Sequence, residues 1–246
     1  MDLQTFFLDH PRVALGFSGG VDSAYLLWAA KKAGVDVKPY FIKTPFQPEF
    51  ELEDALRLGR ELEVPVTVVP LQLPSEVLKN PKNRCYLCKR AIFTALRNQA
   101  AADGYDVLLD GSNASDDPRE RPGMQALTEM QVLSPLRLCG LTKAEIRQRS
   151  REAGLFTWDK PSYACLATRF PTGTEIREEM LARVEAAEQI LFSLGFSDFR
   201  VRLFHEAACI QVKPEQMNRI LNQREIIIEE MKEKFPRVML DLEGRP

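Results

Sequence analysis

The sequence lacks long apolar runs, an N-terminal targeting signal and an excess of positive charge, the features typical of membrane, secreted and nucleic-acid-binding proteins. Its 246 residues carry a formal net charge of −2, so no general positive field would attract nucleic acid. No apolar run reaches the length of a membrane span, and residues 1–7 lack the basic region and apolar run of a targeting signal. We therefore expect a cytoplasmic protein with no membrane partner. A tRNA partner would need a local basic patch, which the sequence does not display.

Two common phosphate-binding motifs are missing as well, the spacings G-x-x-x-x-G-K-[ST] and G-x-G-x-x-G. A different glycine turn follows the apolar residues 13–17 and opens a helical pattern. It consists of Ser18, Gly19, Gly20, Val21, Asp22 and Ser23. Backbone N–H groups and a positive helix end around such a turn suit an anion such as pyrophosphate. The sequence therefore predicts a phosphate-binding loop here.

This turn resembles the SGGxDS loop of the PP-loop superfamily, the N-type ATP pyrophosphatases. The resemblance implies that the loop binds ATP, with Mg²⁺, and that ATP is cleaved between its α and β phosphates. Asp22 is then either a magnesium ligand or a carboxylate that stabilises the helix N-terminus.

Apolar strands alternate with helical stretches over the first two thirds of the chain. This order predicts an α/β fold, a parallel sheet with helices on both faces. We expect strands at residues 13–17, 37–42, 66–71 and 106–109, and helices at residues 22–33 and 49–62. Another helix should open at Thr142, because Glu145 three residues later completes a capping box. We assign residues 1–170 to a PP-loop domain of the adenine nucleotide alpha hydrolase-like kind.

The pattern changes after the Pro and Gly residues near position 171. An amphipathic helix is expected at residues 176–194, strands at 200–204 and 208–212, a helix after Pro214 and a closing strand at 238–242. We assign residues 171–246 to a small C-terminal α+β domain that binds substrate or forms a homo-oligomer.

Three cysteines form the second notable group. Cys85 and Cys88 make a C-x-x-C motif, and Cys165 lies in a polar segment before the expected linker. A disulfide does not suit a reducing compartment, a thioredoxin-type motif does not need ATP, and zinc would want a fourth protein ligand. Three thiolates instead suit a [4Fe–4S] cluster with one iron left open, which could carry an extra sulfide.

Further segments resemble the LarE family of ATP-dependent sulfur transferases. They are residues 110–117, 121–123, 134–136, 141–147 and 158–162. The resemblance implies that the chain makes the thio groups of the nickel-pincer nucleotide, the cofactor of lactate racemase, from a small nucleotide substrate.

The family has two branches, and the cysteines favour one of them. In the branch that this chain resembles, Cys85, Cys88 and Cys165 would hold the [4Fe–4S] cluster. In the other, the cysteine matching Cys165 gives up its own sulfur and becomes dehydroalanine. A PP-loop tRNA thiolase with a similar three-cysteine cluster is a further alternative.

The remaining candidate residues concern substrate and metal. Arg200 and Arg202 alternate along a strand and match an Arg-x-Arg of the family expected to bind substrate phosphate. We expect Gly111 and Arg169 to contact the nucleotide and Glu188 to be a weak candidate metal ligand. The acidic residue expected near Gln211 is missing, which weakens any divalent-metal site there. The sulfur donor does not follow from the sequence.

Overall fold

The computed structural model describes residues 2–117 and 122–245, so Arg121 of the family-like segments lies outside the described residues. The chain forms two compact units. Unit 1 comprises Met1–Val77 and Asn83–Lys160, and unit 2 comprises Leu78–Lys82 and Pro161–Pro246. The expected domain boundary at residue 170 therefore falls inside unit 2.

Hydrogen bonds explain why a short early segment belongs to unit 2. The Asn80 side-chain amide donates to the carbonyl of Pro171 at 2.7 Å, and the Gly173 N–H donates to the Asn80 carbonyl at 2.8 Å. Ile176 N–H donates to Leu78 O at 2.7 Å. These contacts join residues far apart in the chain, so local sequence patterns could not reveal them.

Unit 1 contains a four-stranded parallel sheet. Its strands are β1 (Arg12–Gly16), β2 (Asp36–Lys43), β3 (Thr67–Pro70) and β4 (Leu108–Leu109), in the order β3-β2-β1-β4. Because β2 and β4 lie on either side of β1, the end of β1 is a topological switch point, where α/β proteins commonly bind ligands. The sheet confirms the predicted parallel architecture.

Helices cover both faces of this sheet, as predicted. They are α1 (Leu3–Asp9), α2 (Val21–Lys32), α3 (Glu49–Glu61), α4 (Ser75–Leu78), α5 (Arg84–Ala102), α6 (Gly123–Glu129), α7 (Pro135–Leu138) and α8 (Lys143–Glu152). Side chains alternate along β1, so Val13 and Leu15 join one buried cluster with α2 and α8, while Ala14 joins another with α5. Both clusters exclude water from the sheet.

Unit 2 is an α+β structure, which confirms the fold class expected there. It contains α9 (Glu178–Ser193), β5 (Arg200–Phe204), β6 (Ala207–Gln211), α10 (Met217–Asn222), α11 (Arg224–Met231) and β7 (Val238–Leu240). Strand β6 lies between an antiparallel β5 and a parallel β7. Val201, Leu203 and Ile210 are buried on the inner face. Among the described helices, none combines the length and hydropathy needed to cross a membrane.

Candidate active site

The predicted phosphate-binding loop lies between the end of β1 and the start of α2. Ser18 and Ser23 close it, with their hydroxyl oxygens 3.2 Å apart and the Ser18 N–H 3.3 Å from Ser23 Oγ. Gly20 is the N-cap of α2 and supplies no side-chain cap. Since the first N–H groups of a helix lack intrahelical acceptors, the loop directs several backbone donors at one small volume.

Two glycines allow the close approaches that this geometry needs. Gly19 has φ +69°, and a Cβ there would lie 3.0 Å from the backbone nitrogen of Ala55 in α3. Gly111 follows β4, and a Cβ there would lie 3.1 Å from the Ser23 nitrogen. Gly111 therefore brings the chain after β4 against the first turn of α2, beside the loop.

A cavity of about 290 Å³ opens at the carboxyl ends of the strands, a small volume for a ligand pocket. The ends of β1, β2 and β4 and one side of α5 line it. Its lining residues include Ser18, Gly20, Asp22, Ser23, Gln47, Lys89, Asp110, Gly111, Ser112 and Asp116. The cavity thus joins the predicted loop residues to Gly111 within unit 1.

Asp22 has protein partners on both carboxylate oxygens. Lys143 Nζ donates to Oδ2 at 2.6 Å, and Asn113 Nδ2 donates to Oδ1 at 3.2 Å. Lys143 is the first residue of α8, whose predicted capping box between Thr142 and Glu145 is present. Asp22 therefore anchors α8 and the loop after β4 to the start of α2. Its role as a magnesium ligand stays a prediction.

Asp110 is a buried carboxylate at the end of β4. The hydroxyls of Ser112 and Ser134 each donate to it at 2.6 Å, and Lys89 Nζ lies 3.9 Å from its Oδ2. Two short hydrogen bonds offset the cost of burying this carboxylate, so its burial does not require an ion pair with Lys89.

The C-x-x-C motif occupies the first turn of α5, the helix that also lines the cavity. Cys85 and Cys88 are three residues apart and share a helix face. Arg84 donates to Cys85 Sγ at 3.8 Å. Lys89 follows directly and lines the cavity, so unit 1 alone places the motif within one helical turn of the cavity.

Cys165 lies in unit 2 and precedes a single 3₁₀ turn, Leu166–Arg169. Arg169 is buried and fixes this turn through its Nη1, which donates to Ala164 O at 2.7 Å, to Thr168 Oγ1 at 2.8 Å and to Cys165 O at 3.3 Å. The arginine therefore holds the backbone of the cysteine segment.

A bidentate ion pair with Glu188 of α9 fixes Arg169 in turn. Nε and Nη2 of the arginine donate to the two carboxylate oxygens at 2.8 and 2.9 Å. Glu188 also accepts from the Tyr163 hydroxyl and from the Val201 N–H at 2.9 Å. Burial alone would lower the pKa of Arg169, but the hydrogen bonds and charge of Glu188 outweigh it and raise that pKa.

The two arginines of β5 differ in their surroundings. Arg200 is buried and donates to Phe199 O at 2.7 Å and Ser162 O at 3.1 Å, whereas Arg202 is exposed and donates to Gln211 Oε1 at 2.7 Å. Burial and the neighbouring charge of Arg169 lower the pKa of Arg200 to about 10. Their role in binding substrate phosphate stays a prediction.

The cluster predicted from the sequence draws on both units, since Cys85 and Cys88 lie in unit 1 and Cys165 in unit 2. Among residues 2–117 and 122–245, no group of three or more His, Cys, Asp or Glu side chains is placed to hold a metal ion. The arrangement of Glu188 described above pairs it with Arg169, and a metal role for Glu188 also stays a prediction.

Sequence reasoning did not identify three residues that the structure places at these sites. Lys143 and Lys89 contact carboxylates that are 121 and 21 positions away in the chain. Tyr163 lies with its ring 4.5 Å from the Arg169 guanidinium carbon and 5.2 Å from that of Arg200. The position of Lys89, directly after the C-x-x-C motif, was the only sequence signal for it.

Comparisons with known proteins agree with this geometry. The chain is 31% identical over 241 residues to the pyridinium-3,5-bisthiocarboxylic acid mononucleotide synthase of Lactiplantibacillus plantarum, spanning 96% of this chain and 87% of that protein. It is 36% identical over 251 residues to an uncharacterised protein of Synechocystis sp., spanning 99% and 93%. The tRNA-specific 2-thiouridylase MnmA of Frankia alni matches at 29% over 211 residues, spanning 70% and 60%. No protein-family model matches the chain.

A parallel sheet with an SGGxDS loop after its first strand is typical of the PP-loop superfamily, and the match to the thiouridylase indicates the sulfurtransferase class within it. Since the L. plantarum synthase matches along nearly its whole length, the chain belongs to the LarE family within that class.

Proposed function

We propose that this chain uses ATP to convert a carboxylate of pyridinium-3,5-dicarboxylic acid mononucleotide into a thiocarboxylate for the nickel-pincer cofactor of lactate racemase. The cavity beside the PP-loop is the observation that supports this proposal. The chain is also similar to a synthase that is named for a bisthiocarboxylic acid product. A thiocarboxylate differs from a carboxylate by one sulfur in place of one oxygen. The matching carboxylate is therefore the simplest substrate.

The first step is adenylation. A substrate carboxylate oxygen attacks the α-phosphorus of ATP, a new O–P bond forms, and pyrophosphate leaves with the electrons of the broken bond. The N–H groups at the start of α2 face the phosphates and offset the charge that develops there. In this proposal Lys143, which donates to Asp22 at 2.6 Å, moves to a phosphate oxygen and frees Asp22 for the Mg²⁺ that accompanies ATP.

In the second step a sulfur displaces AMP from the acyl-adenylate. The first turn of α5 suits two thiolate ligands of an iron–sulfur cluster, and Cys165 would supply the third if the two units brought it to the cavity. Such a cluster would carry the incoming sulfide when bound. Iron analysis of anaerobically purified protein tests this assignment.

The alternative is that Cys165 supplies its own sulfur. Its thiolate would attack the acyl carbon and expel AMP, leaving a thioester. Loss of the cysteine Cα proton and cleavage of the Cβ–S bond would then release the thiocarboxylate and leave dehydroalanine. Arg169 and Glu188 hold the backbone around Cys165 for either role.

One preparation can test both steps. Anaerobically purified protein is mixed with Mg²⁺-ATP and the dicarboxylate mononucleotide, and pyrophosphate, AMP and thiocarboxylate are measured together with iron, acid-labile sulfide and the intact mass of the chain. We expect pyrophosphate release that depends on the mononucleotide, and loss of thiocarboxylate in Cys165→Ala. Cys139→Ala, at a partly buried cysteine away from the cavity, is the matched control.

The outcomes separate the candidate functions. Iron with an unchanged chain mass supports the cluster, whereas iron-free activity with loss of the elements of H₂S from the chain supports sacrifice of Cys165. No pyrophosphate release with the mononucleotide, together with tight salt-sensitive binding of bulk tRNA, would replace the proposal with a tRNA thiolase.

A further inference from the structure

Lys89 lines the cavity of unit 1, whereas Lys143 is paired with Asp22 at 2.6 Å. The lining residues include the carboxylates Asp22, Asp110 and Asp116, and Lys89 is the one lysine or arginine among the described lining residues. ATP and a dicarboxylate substrate would add further negative charge to this volume. Their approach therefore needs a positive group inside the cavity.

The ammonium group of Lys89 is only loosely paired. Its Nζ lies 3.9 Å from Asp110 Oδ2, too far for a hydrogen bond, and 5.4 Å from the ring centre of Phe93. Asp110 receives its short hydrogen bonds from Ser112 and Ser134 instead. The side chain of Lys89 is 36% exposed, and Lys89 is one of the residues that line the cavity.

The base of the Lys89 side chain lies beside the first residue of α6. A Cβ at Gly123, the first residue of α6, would lie 3.7 Å from both Cβ and Cγ of Lys89 and 3.6 Å from the carbonyl oxygen of Cys85. The glycine therefore leaves the base of the Lys89 side chain without a Cβ contact from this residue. On α5, Lys89 lies four residues after Cys85, so both project from the same helix face.

We propose that Lys89 is a catalytic residue of adenylation, which binds the attacking substrate carboxylate and a non-bridging α-phosphate oxygen of ATP. This inference rests on the proposed function. As the carboxylate O–P bond forms and the bond to pyrophosphate breaks, the ammonium offsets the charge of the two anions it joins. No proton is transferred in this step.

Three variants test this role. Lys89→Met keeps the length of the side chain without its charge, and Lys89→Arg keeps the charge with a different shape. Arg90→Met is the matched control, because Arg90 is the next residue of α5 and lines a separate groove with Leu87 and Thr94. Equal melting temperatures of the variants establish that each is folded.

The rate of mononucleotide-dependent pyrophosphate release is measured at saturating Mg²⁺-ATP. We expect about a 100-fold lower rate for Lys89→Met, the scale of losing one charge-stabilising donor. Lys89→Arg should recover part of it, and Arg90→Met should match the wild type. A rate of Lys89→Met that lies within threefold of the rate of Arg90→Met would overturn the inference.

A binding measurement separates failure of this inference from failure of the proposed function. The probe is an acyl-sulfamoyl adenosine that carries a pyridine carboxylic acid, a stable mimic of the acyl-adenylate. We expect Lys89→Met to bind it at least tenfold more weakly than Arg90→Met. If the wild type releases no pyrophosphate with the mononucleotide, the proposed function fails. Equal affinities of Lys89→Met and the wild type for this probe would independently contradict the catalytic role of Lys89.

Discussion

Gly19 determines the shape of the predicted phosphate-binding loop, because its backbone lies in the left-handed region and a Cβ there would meet the backbone of α3. A Cβ at this position would meet Ala55 N at 3.0 Å and Ala55 Cα at 3.1 Å. Neither contact can relax by rotating a side chain. The loop and α3 would have to separate, and the N–H groups of the loop would then lose their common direction.

We expect Gly19→Ala to weaken Mg²⁺-ATP binding at least tenfold in calorimetry and to lower the free energy of unfolding by about 1–2 kcal/mol. Gly34→Ala is the matched control, since Gly34 has φ +75° with nothing within 4 Å of its Cβ position. It should lose similar stability and keep its ATP affinity. Equal ATP affinities of the two variants would show that the loop tolerates the displacement.

Glu188 joins three parts of unit 2, namely the cysteine segment, α9 and β5. Replacing it with Gln leaves the buried Arg169 without its countercharge, so we expect a loss of about 3–5 kcal/mol in the free energy of unfolding, measured by urea denaturation. Glu178→Gln on the exposed side of α9 should change it by less than ~0.5 kcal/mol. A similar small change in both variants would contradict a structural ion pair.

The variant Glu188→Gln also tests Glu188 as a metal ligand, through the melting temperature with and without a divalent ion. A divalent ion bound at Glu188 would raise the melting temperature of the wild type by mass action, and Glu188→Gln would abolish the increase. Since Arg169, Tyr163 and Val201 already donate to the carboxylate, we expect Mg²⁺ and Mn²⁺ without ATP to leave both melting temperatures unchanged.

Helix α8 begins at a capping box that positions Lys143 on Asp22. The Thr142 N–H donates to Glu145 Oε2 at 2.8 Å, and the Glu145 N–H donates to Thr142 Oγ1 at 3.3 Å. We expect Thr142→Ala to cost about 1 kcal/mol of unfolding free energy and Thr142→Ser to cost much less. Thermal denaturation of both variants measures this difference in unfolding free energy. An equal loss in the two variants would show that the methyl group of Thr142, and not its hydroxyl, stabilises the helix.

The hydrogen bonds from Thr142 also lower the pKa of Glu145 below its usual range. A carboxyl with a lowered folded pKa contributes stability above its unfolded pKa and loses it as the pH falls through the folded value. The difference in the free energy of unfolding between the wild type and Thr142→Ala should therefore be largest at neutral pH. It should shrink as the pH falls below the ordinary pKa range of glutamate. A difference that grew on acidification would contradict this account.

Patterns within single elements predicted most of the helices and strands. The consecutive apolar residues at the end of β2 and the amphipathic spacing of α9 describe local burial, and the capping box at Thr142 is complete within four residues. The Lys143–Asp22 contact and the Asn80 contacts with Pro171 and Gly173 depend on how distant elements pack. Such contacts leave no local pattern, and for that reason the sequence placed the domain boundary at residue 170.

The same distinction holds for the candidate site. The glycine loop could be recognised because one turn carries all of its donors, and the C-x-x-C motif because one helical turn carries both thiols. The partners of Glu188 come from residues 163, 169 and 201, so only the fold brings them together. Whether Arg200 and Arg202 bind phosphate also depends on their surroundings, and these differ between the two side chains.

The chain as a whole combines a nucleotide cavity in unit 1 with a cysteine segment in unit 2. Unit 1 holds everything that the proposed adenylation uses: the loop, Lys143, Lys89 and the end of β4. The proposed sulfur transfer needs Cys165 in addition. Activity should therefore require both units.

The most direct test of the proposed chemistry follows one oxygen atom. The dicarboxylate mononucleotide is labelled with ¹⁸O in its carboxylates and incubated anaerobically with the full-length protein and Mg²⁺-ATP, and AMP is analysed by mass spectrometry. If the carboxylate attacks the α-phosphorus and sulfur then displaces AMP, each AMP formed with thiocarboxylate carries one ¹⁸O from the substrate. Unlabelled AMP, or ADP in its place, would contradict this mechanism.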